Sequence, residues 1–159
     1  MTGVQTCALL IYLYAKFFQH VTAADSRMRF FMPLKTLSHE FLARLTQVDY
    51  AREIAFVALN DVGELLGVSR FNADPDYETG EYGILVRSDL KGCGLGRILM
   101  QHLVAYGRAE GLHRIIGYVL AENDAMLKLA GQIGFTAAVA EDDPTLRKVT
   151  LELRPPAAV

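Results

Sequence analysis

The spacing of apolar residues changes along this chain, and each change predicts an element. Residues 13–22 (LYAKFFQHVT) carry Tyr14, Phe17 and Phe18 at helical spacing. Ala24-Asp25-Ser26-Arg27 restarts a second helical turn that ends at Phe30-Phe31, and Pro33 breaks the pattern. Ser38 is placed to cap a helix with Leu42 and Leu45 on its apolar face, ending near Gln47. The period then shortens. Ile54 to Leu59 is nearly all apolar, which predicts a strand buried on both faces. Asn60-Asp61-Val62-Gly63 is turn chemistry, Leu65 to Asn72 a second strand, Asp74-Pro75-Asp76 a second turn and Glu81 to Val86 a third strand. These make an antiparallel meander. From Leu95, Ile98, Leu99, Leu103 and Tyr106 restore a one-faced helix, with Gly111 at its C-terminal cap. His113 to Leu120 reads as a strand, Asn123 to Ile133 as a helix stopped by Gly134, and Arg147 to Leu153 as a final strand before the tail Arg154-Pro155-Pro156. The predicted order is helix, helix, three strands, helix, strand, helix, strand. That is an α+β domain whose third strand feeds directly into a helix.

A length of 159 residues favours one domain, and a 52% hydrophobic fraction is enough for a core. The net charge of -2, with Lys and Arg dispersed, argues against nucleic acid, which demands a basic face. Cys7 and Cys93 suggest neither a disulfide framework nor a metal pair, so a reducing cytoplasm fits. His20, His39, His102 and His113 lack zinc spacing, so no metal is expected. The longest apolar run, Cys7 to Ala15, is far short of the ~20 residues a membrane helix needs. No basic region precedes it as in a signal peptide.

The candidate chemistry lies between the third strand and the helix after it. Lys91-Gly92-Cys93-Gly94-Leu95-Gly96 alternates glycine with other residues. Glycine lets the backbone approach a ligand and adopt positive φ. Free amides at a helix start, with the dipole behind them, form an anion site that suits a pyrophosphate. A P-loop would require Gly-Lys-Ser/Thr where Gly96-Arg97-Ile98 stands. A dinucleotide fingerprint would need glycine at Arg97 and an acid at the end of the next strand; Glu110 has roughly that spacing but ends a helix. By itself the loop leaves two readings open: a phosphate cradle, or a tight strand-to-helix turn with no ligand.

The same loop resembles the Arg/Gln-x-x-Gly-x-Gly/Ala signature of GNAT acetyltransferases, with Lys91 at its first place. Asn123 to Leu129, closed by Gly134-Phe135, resembles that family's second signature, N-x-x-A-x-x-L with a following G-F. The two stand in the family's order, and the likeness spans residues 12–154, with 155–159 as a tail. A narrower likeness lies in SRMRFF, LSHEFLARLTQVDYAREIAFVAL and EYGILVRSDLKGCGLGRILM. These are similar to the C-terminal GNAT domain of bacterial protein lysine acetyltransferases, which commonly follows a domain resembling an ADP-forming acyl-CoA synthetase. The opening MTGVQTCALLI resembles the translation of a common sequencing-library adapter, departing from it only at Leu10. That likeness implies that residues 1–11 are not native and that the natural chain begins further upstream. It also implies that the fold's usual first strand is missing or replaced in an otherwise mostly antiparallel sheet flanked by helices.

The resemblance implies acetyl-CoA as co-substrate. Its pyrophosphate would lie over the amides of Gly92, Gly94, Gly96 and Arg97 beside Lys91. Its pantetheine arm would pair with the backbone at Leu85 and Val86 like an added strand, with Asn123 either hydrogen-bonding that arm or only capping its helix. A backbone N–H near Leu85 would polarise the thioester carbonyl. Glu81 is the implied base. Alternation puts Glu81, Gly83 and Leu85 on one face, although an acid at a strand start is by itself more often merely solvated. The family's usual tyrosine after the second signature, which protonates the leaving thiolate, is Ala130 here, so the acid is unassigned; Tyr82 and Tyr118 read as core or surface. The implied activity is acetylation of a lysine side chain on a protein acceptor such as an acyl-CoA synthetase. The alternatives are acetylation of a small amine and acyl-CoA sensing without turnover.

Overall fold

The computed structural model describes residues 3–32, 38–47 and 51–153. Pro33 and the 155–159 tail lie outside the described residues. Three helices lead the chain: α1 (Gly3–Phe18), α2 (Ala23–Phe30) and α3 (His39–Thr46). The Thr22 side chain caps α2 by accepting from the Asp25 amide (3.2 Å), and Ser38 caps α3 by accepting from the Phe41 amide (3.1 Å). Strands β1 (Glu53–Leu59), β2 (Leu65–Ala73) and β3 (Thr79–Val86) form the expected meander. A 3-10 turn at Ser88–Leu90 leads into α4 (Leu95–Ala109), then β4 (Arg114–Leu120), α5 (Asp124–Ile133), β5 (Thr136–Val139) and β6 (Leu146–Glu152). The sheet order is β1-β2-β3-β4-β6-β5, antiparallel throughout except for the parallel pair β3–β4.

Strand alternation sorts side chains onto two cores. Phe71, Tyr82, Ile84, Ile115, Val119 and Val149 meet Leu99, Met100 and Leu103 of α4 and Ala130 of α5 on one face. Val68 and Leu85 meet Tyr14, Phe17 and Phe18 of α1 and Leu42 of α3 on the other. Burying each such aromatic or aliphatic side chain stabilises the fold by about 1.5–3 kcal/mol. Two glycines make room for rings in the first core. A Cβ at Gly80 would sit 1.8 Å from Phe71, and one at Gly117 2.2 Å from Tyr82.

Several sequence expectations require correction. The helix read from the spacing in residues 13–22 ends at Phe18 and extends back to Gly3, so it takes in residues 3–11 of the adapter-like segment, and Leu10 and Ile11 pack against the second core. Residues 3–11 of that segment belong to this helix and to no strand. The stretch around 24–31 forms a separate capped helix, giving three helices before the sheet. β1 is not buried on both faces: it is an edge strand of the described sheet, with Val57 and Leu59 exposed. β5 was not expected. Its four residues are all exposed and small or β-branched without alternation, and only pairing with β6 makes them a strand.

Candidate active site

Parallel pairing between β3 and β4 stops early. Thr79, Gly80 and Glu81 pair with Arg114, Ile115 and Ile116, after which β3 continues to Val86 and β4 to Leu120 without pairing. The edge of β3 beyond Glu81 therefore has main-chain groups with no ladder partner on the β4 side, a state that buried backbone does not tolerate without another partner. The strands diverge around a cleft of about 810 Å³. All nine site residues proposed from sequence line it: Glu81, Leu85, Val86, Lys91, Gly92, Gly94, Gly96, Arg97 and Asn123.

At the far end of β3 the glycine loop turns into α4. Gly94 is the N-cap, at φ +84, and the first intrahelical bond runs from the Ile98 amide to the Gly94 carbonyl (3.1 Å). Among the described residues, the amides of Gly92, Gly94, Gly96 and Arg97 have no hydrogen-bond acceptor; the last three are donors that the start of a helix leaves unpaired, and Gly92 stands in the turn before it. Gly96 discriminates between the two readings of the loop. Its φ is not in the left-handed region, and a Cβ there would meet only Leu129, at an ordinary 3.5 Å. Neither backbone conformation nor protein packing demands glycine at that position, so the tight-turn reading does not account for it.

Side chains at this end are already engaged. The Lys91 ammonium pairs with the Asp25 carboxylate, which also accepts from the Ser88 hydroxyl, and Ser88 Oγ accepts from the Thr22 amide (2.9 Å). Burial pushes the Asp25 carboxyl up, but the bonds from Lys91 and Ser88 outweigh it and hold the group below its ordinary value. Arg97 donates to Gln132 of α5. The Asn123 side chain accepts from the Met126 amide (3.2 Å), so it caps α5 while lining the cleft. Cys93 and His39 are exposed.

At the other end Glu81 is exposed on the same face of β3 as Gly83 and Leu85. Ala130 is buried in the α4 core and does not line the cleft. Both tyrosines, Tyr82 and Tyr118, do line it, but the Tyr82 hydroxyl is buried with no partner among the described residues, and burial pushes its pKa well up. Tyr118 is half-buried.

The residues that sequence reading missed come from α2. Asp25 ties this helix to the glycine loop, Arg27 pairs with Glu122 in the turn after β4, and Arg29 packs against Gly83. Thus α2 straddles the split between the strands. The only signal was the charged run Asp25-Ser26-Arg27-Met28-Arg29, which reads equally well as a solvated helix face. No group of three or more His, Cys, Asp or Glu among the described residues could hold a metal, and no helix there is long and apolar enough to cross a membrane.

Comparison with known proteins gives a consistent picture. The family model described as "Acetyltransferase (GNAT) family" matches residues 21–135. An acetyltransferase of Pseudomonas aeruginosa is 32% identical over 133 residues, which is 82% of this chain and 72% of that protein. The L-methionine sulfoximine/L-methionine sulfone acetyltransferase of the same species is 35% identical over 83 residues, 50% of this chain and 48% of that protein. The crystal structure of the GNAT domain of S. lividans PAT superposes with a TM-score of 0.81 at 23% identity, covering 90% of this chain and 85% of that one.

Proposed function

Because the chain belongs to the GNAT acetyltransferase family, we propose that its cleft binds acetyl-CoA and passes the acetyl group to a lysine side chain of a protein, with Glu81 as the base. The observation that carries this reading is the unpaired edge of β3 between Glu81 and the free amides at the start of α4. An extended pantetheine arm added to that edge at Leu85 and Val86 runs from a base at one end to a diphosphate site at the other. The diphosphate takes the amides of Gly92, Gly94, Gly96 and Arg97 beside Lys91, with the Arg97 guanidinium adding positive charge. Asn123 stands beside the arm as the cap of α5.

The chemistry asks for a base because a lysine amine, with a pKa of ~10.4, is scarcely neutral at pH 7, at a cost of roughly 4–5 kcal/mol. Glu81 accepts the amine proton directly or through a water as nitrogen attacks the thioester carbonyl. A backbone amide near Leu85 stabilises the oxyanion. The tetrahedral intermediate then collapses to the amide and expels the CoA thiolate. A thiolate is a stable enough anion to leave without a dedicated acid, which suits a chain with Ala130 at the family's tyrosine position.

Likeness of SRMRFF and the β3–α4 segment to protein lysine acetyltransferases favours a protein acceptor, such as an acyl-CoA synthetase, in the cytoplasm. A small amine is the second reading, favoured by the relative that acts on L-methionine sulfoximine and L-methionine sulfone. Incubation with labelled acetyl-CoA tests both. Label on a lysine of an acyl-CoA synthetase supports the first, and label on the free amine supports the second. Acetyl-CoA binding with no transfer to either would make the domain a sensor.

A further inference from the structure

Of the two arginines that line the cleft, Arg29 and Arg97, only Arg97 is held by a side-chain hydrogen bond among the described residues, and the arginines nearby are held as well. Arg27 pairs with Glu122, Arg87 with Asp89 and Arg97 with Gln132; Arg70 donates to the Leu45 and Gln47 carbonyls and faces Glu53. The Arg29 guanidinium has no hydrogen bond or ion pair among the described residues and makes only a cation–π contact with Phe30, 4.9 Å from its ring centroid. It nevertheless lines the cleft. Its place is fixed by Gly83, where a Cβ would stand 2.3 Å from Nη2, so the glycine leaves the room that the guanidinium occupies.

A guanidinium cannot shed its proton to escape burial, and it presents a planar fork of donors. Burial lowers the Arg29 pKa, the nearby Arg70 cation lowers it further, and the Glu81 carboxylate partly offsets both. Arg29 and Glu81 therefore feel each other without forming an ion pair. Gly83 and Glu81 are one same-face step apart on β3, a spacing of about 6.6–6.8 Å. With Glu81 one same-face step along β3 from the glycine that Arg29 packs on, a proton-accepting carboxylate and a fork without a hydrogen-bond partner among the described residues complement an acceptor that carries a carboxylate near its amine.

We propose that Arg29 is a specificity-determining residue that binds a carboxylate carried close to the acceptor amine. The assignment rests on the reading that Glu81 receives that amine. The carboxylate has two sources: the α-carboxylate of a free amino acid, or an acidic side chain flanking a lysine in a protein. In both cases the fork holds the anion bidentately and orients the amine toward Glu81.

The test uses two matched pairs of acceptors with the full chain: L-methionine sulfone against its carboxamide, and a lysine peptide with aspartate beside the lysine against the same peptide with asparagine. Wild-type protein is expected to favour the carboxylate member of at least one pair by about tenfold or more in kcat/KM, and calorimetry on the CoA-loaded protein should show the same preference. The favoured pair identifies the source. R29Q should bring the ratio to within about twofold, mainly through KM, whereas R29K, which keeps the charge and loses the fork, should retain part of it. G83A should also narrow the ratio by displacing the guanidinium. No preference in either pair, or one that survives R29Q, overturns the proposal. So does an R29Q protein that loses acetyl-CoA affinity and keeps its acceptor preference, since Arg29 would then serve the CoA arm. Carboxylate-dependent binding that R29Q abolishes, with no transfer, upholds the anion site while the acetyltransfer reading fails; transfer without discrimination overturns the role of Arg29 and leaves that reading standing.

Discussion

The two ends of the cleft are built from different materials. The α4 end presents main-chain amides, and its loop glycines Gly92 and Gly94 have positive φ with nothing near enough to contact an added Cβ. The β3 start presents side chains, Glu81 from the strand and Arg29 from a helix, 52 positions earlier in the chain. Main-chain recognition suits a ligand part shared by every member of a family, because it survives side-chain change. Side-chain recognition suits the part that differs, the acceptor. Between them α2 joins both lips of the split, through Asp25 to the glycine loop and through Arg27 to Glu122.

The largest expected effect separates the ends. Glu81→Gln should lower kcat by about 10²–10⁴-fold while acetyl-CoA affinity, read by calorimetry, stays nearly unchanged. Unchanged turnover would remove Glu81 from the mechanism and leave the acceptor end without a base.

Gly80→Ala should strike both ends together, because the new methyl collides with the Phe71 ring beneath the shared strand. We expect a loss of about 3 kcal/mol in denaturant unfolding. A fall below about 1 kcal/mol would mean that the ring turns aside easily.

Gly94→Ala tests the main-chain end alone. The substituted residue must hold a left-handed conformation at a cost of roughly 1–2 kcal/mol. About tenfold weaker acetyl-CoA binding should follow, with kcat at saturation retained. Equal affinity would show that the loop amides do not grip the diphosphate.

A smaller effect concerns the tie between the ends. The Asp25 carboxyl is held below its ordinary value in the folded chain, so its stabilisation is fully present above about pH 4 and is lost as pH falls through the lower, folded value. Asp25→Asn should cost on the order of 1 kcal/mol at pH 7 and flatten the acid limb of a stability-against-pH profile. An unaltered acid limb would mean that the bonds to Lys91 and Ser88 contribute nothing net. Smallest of all, Tyr82→Phe removes a buried hydroxyl that has no partner among the described residues and should change stability and turnover by little. A large loss of kcat would identify Tyr82 as the missing proton donor.

Sequence alone was enough for whatever depends on neighbours along the chain. Period-two strands, the one-faced helix from Leu95, the Gly134 stop and the glycine loop all follow from local stereochemistry, so the meander and the amide-lined end were legible. What depends on pairing or packing across the chain was not. β5 has no alternating pattern and exists through its register with β6. β1 reads as a doubly buried strand because an apolar run carries no mark of whether a neighbour flanks it. The cleft itself arises where β3 and β4 cease to pair after Glu81 and Ile116, and no residue type encodes that divergence. Arg29 illustrates the limit most directly. In the sequence it is one cation in a charged helix, and only the docking of α2 over Gly83 brings it into the cleft that Glu81 also lines, since side-chain placement at a distance is decided by tertiary contact and not by spacing.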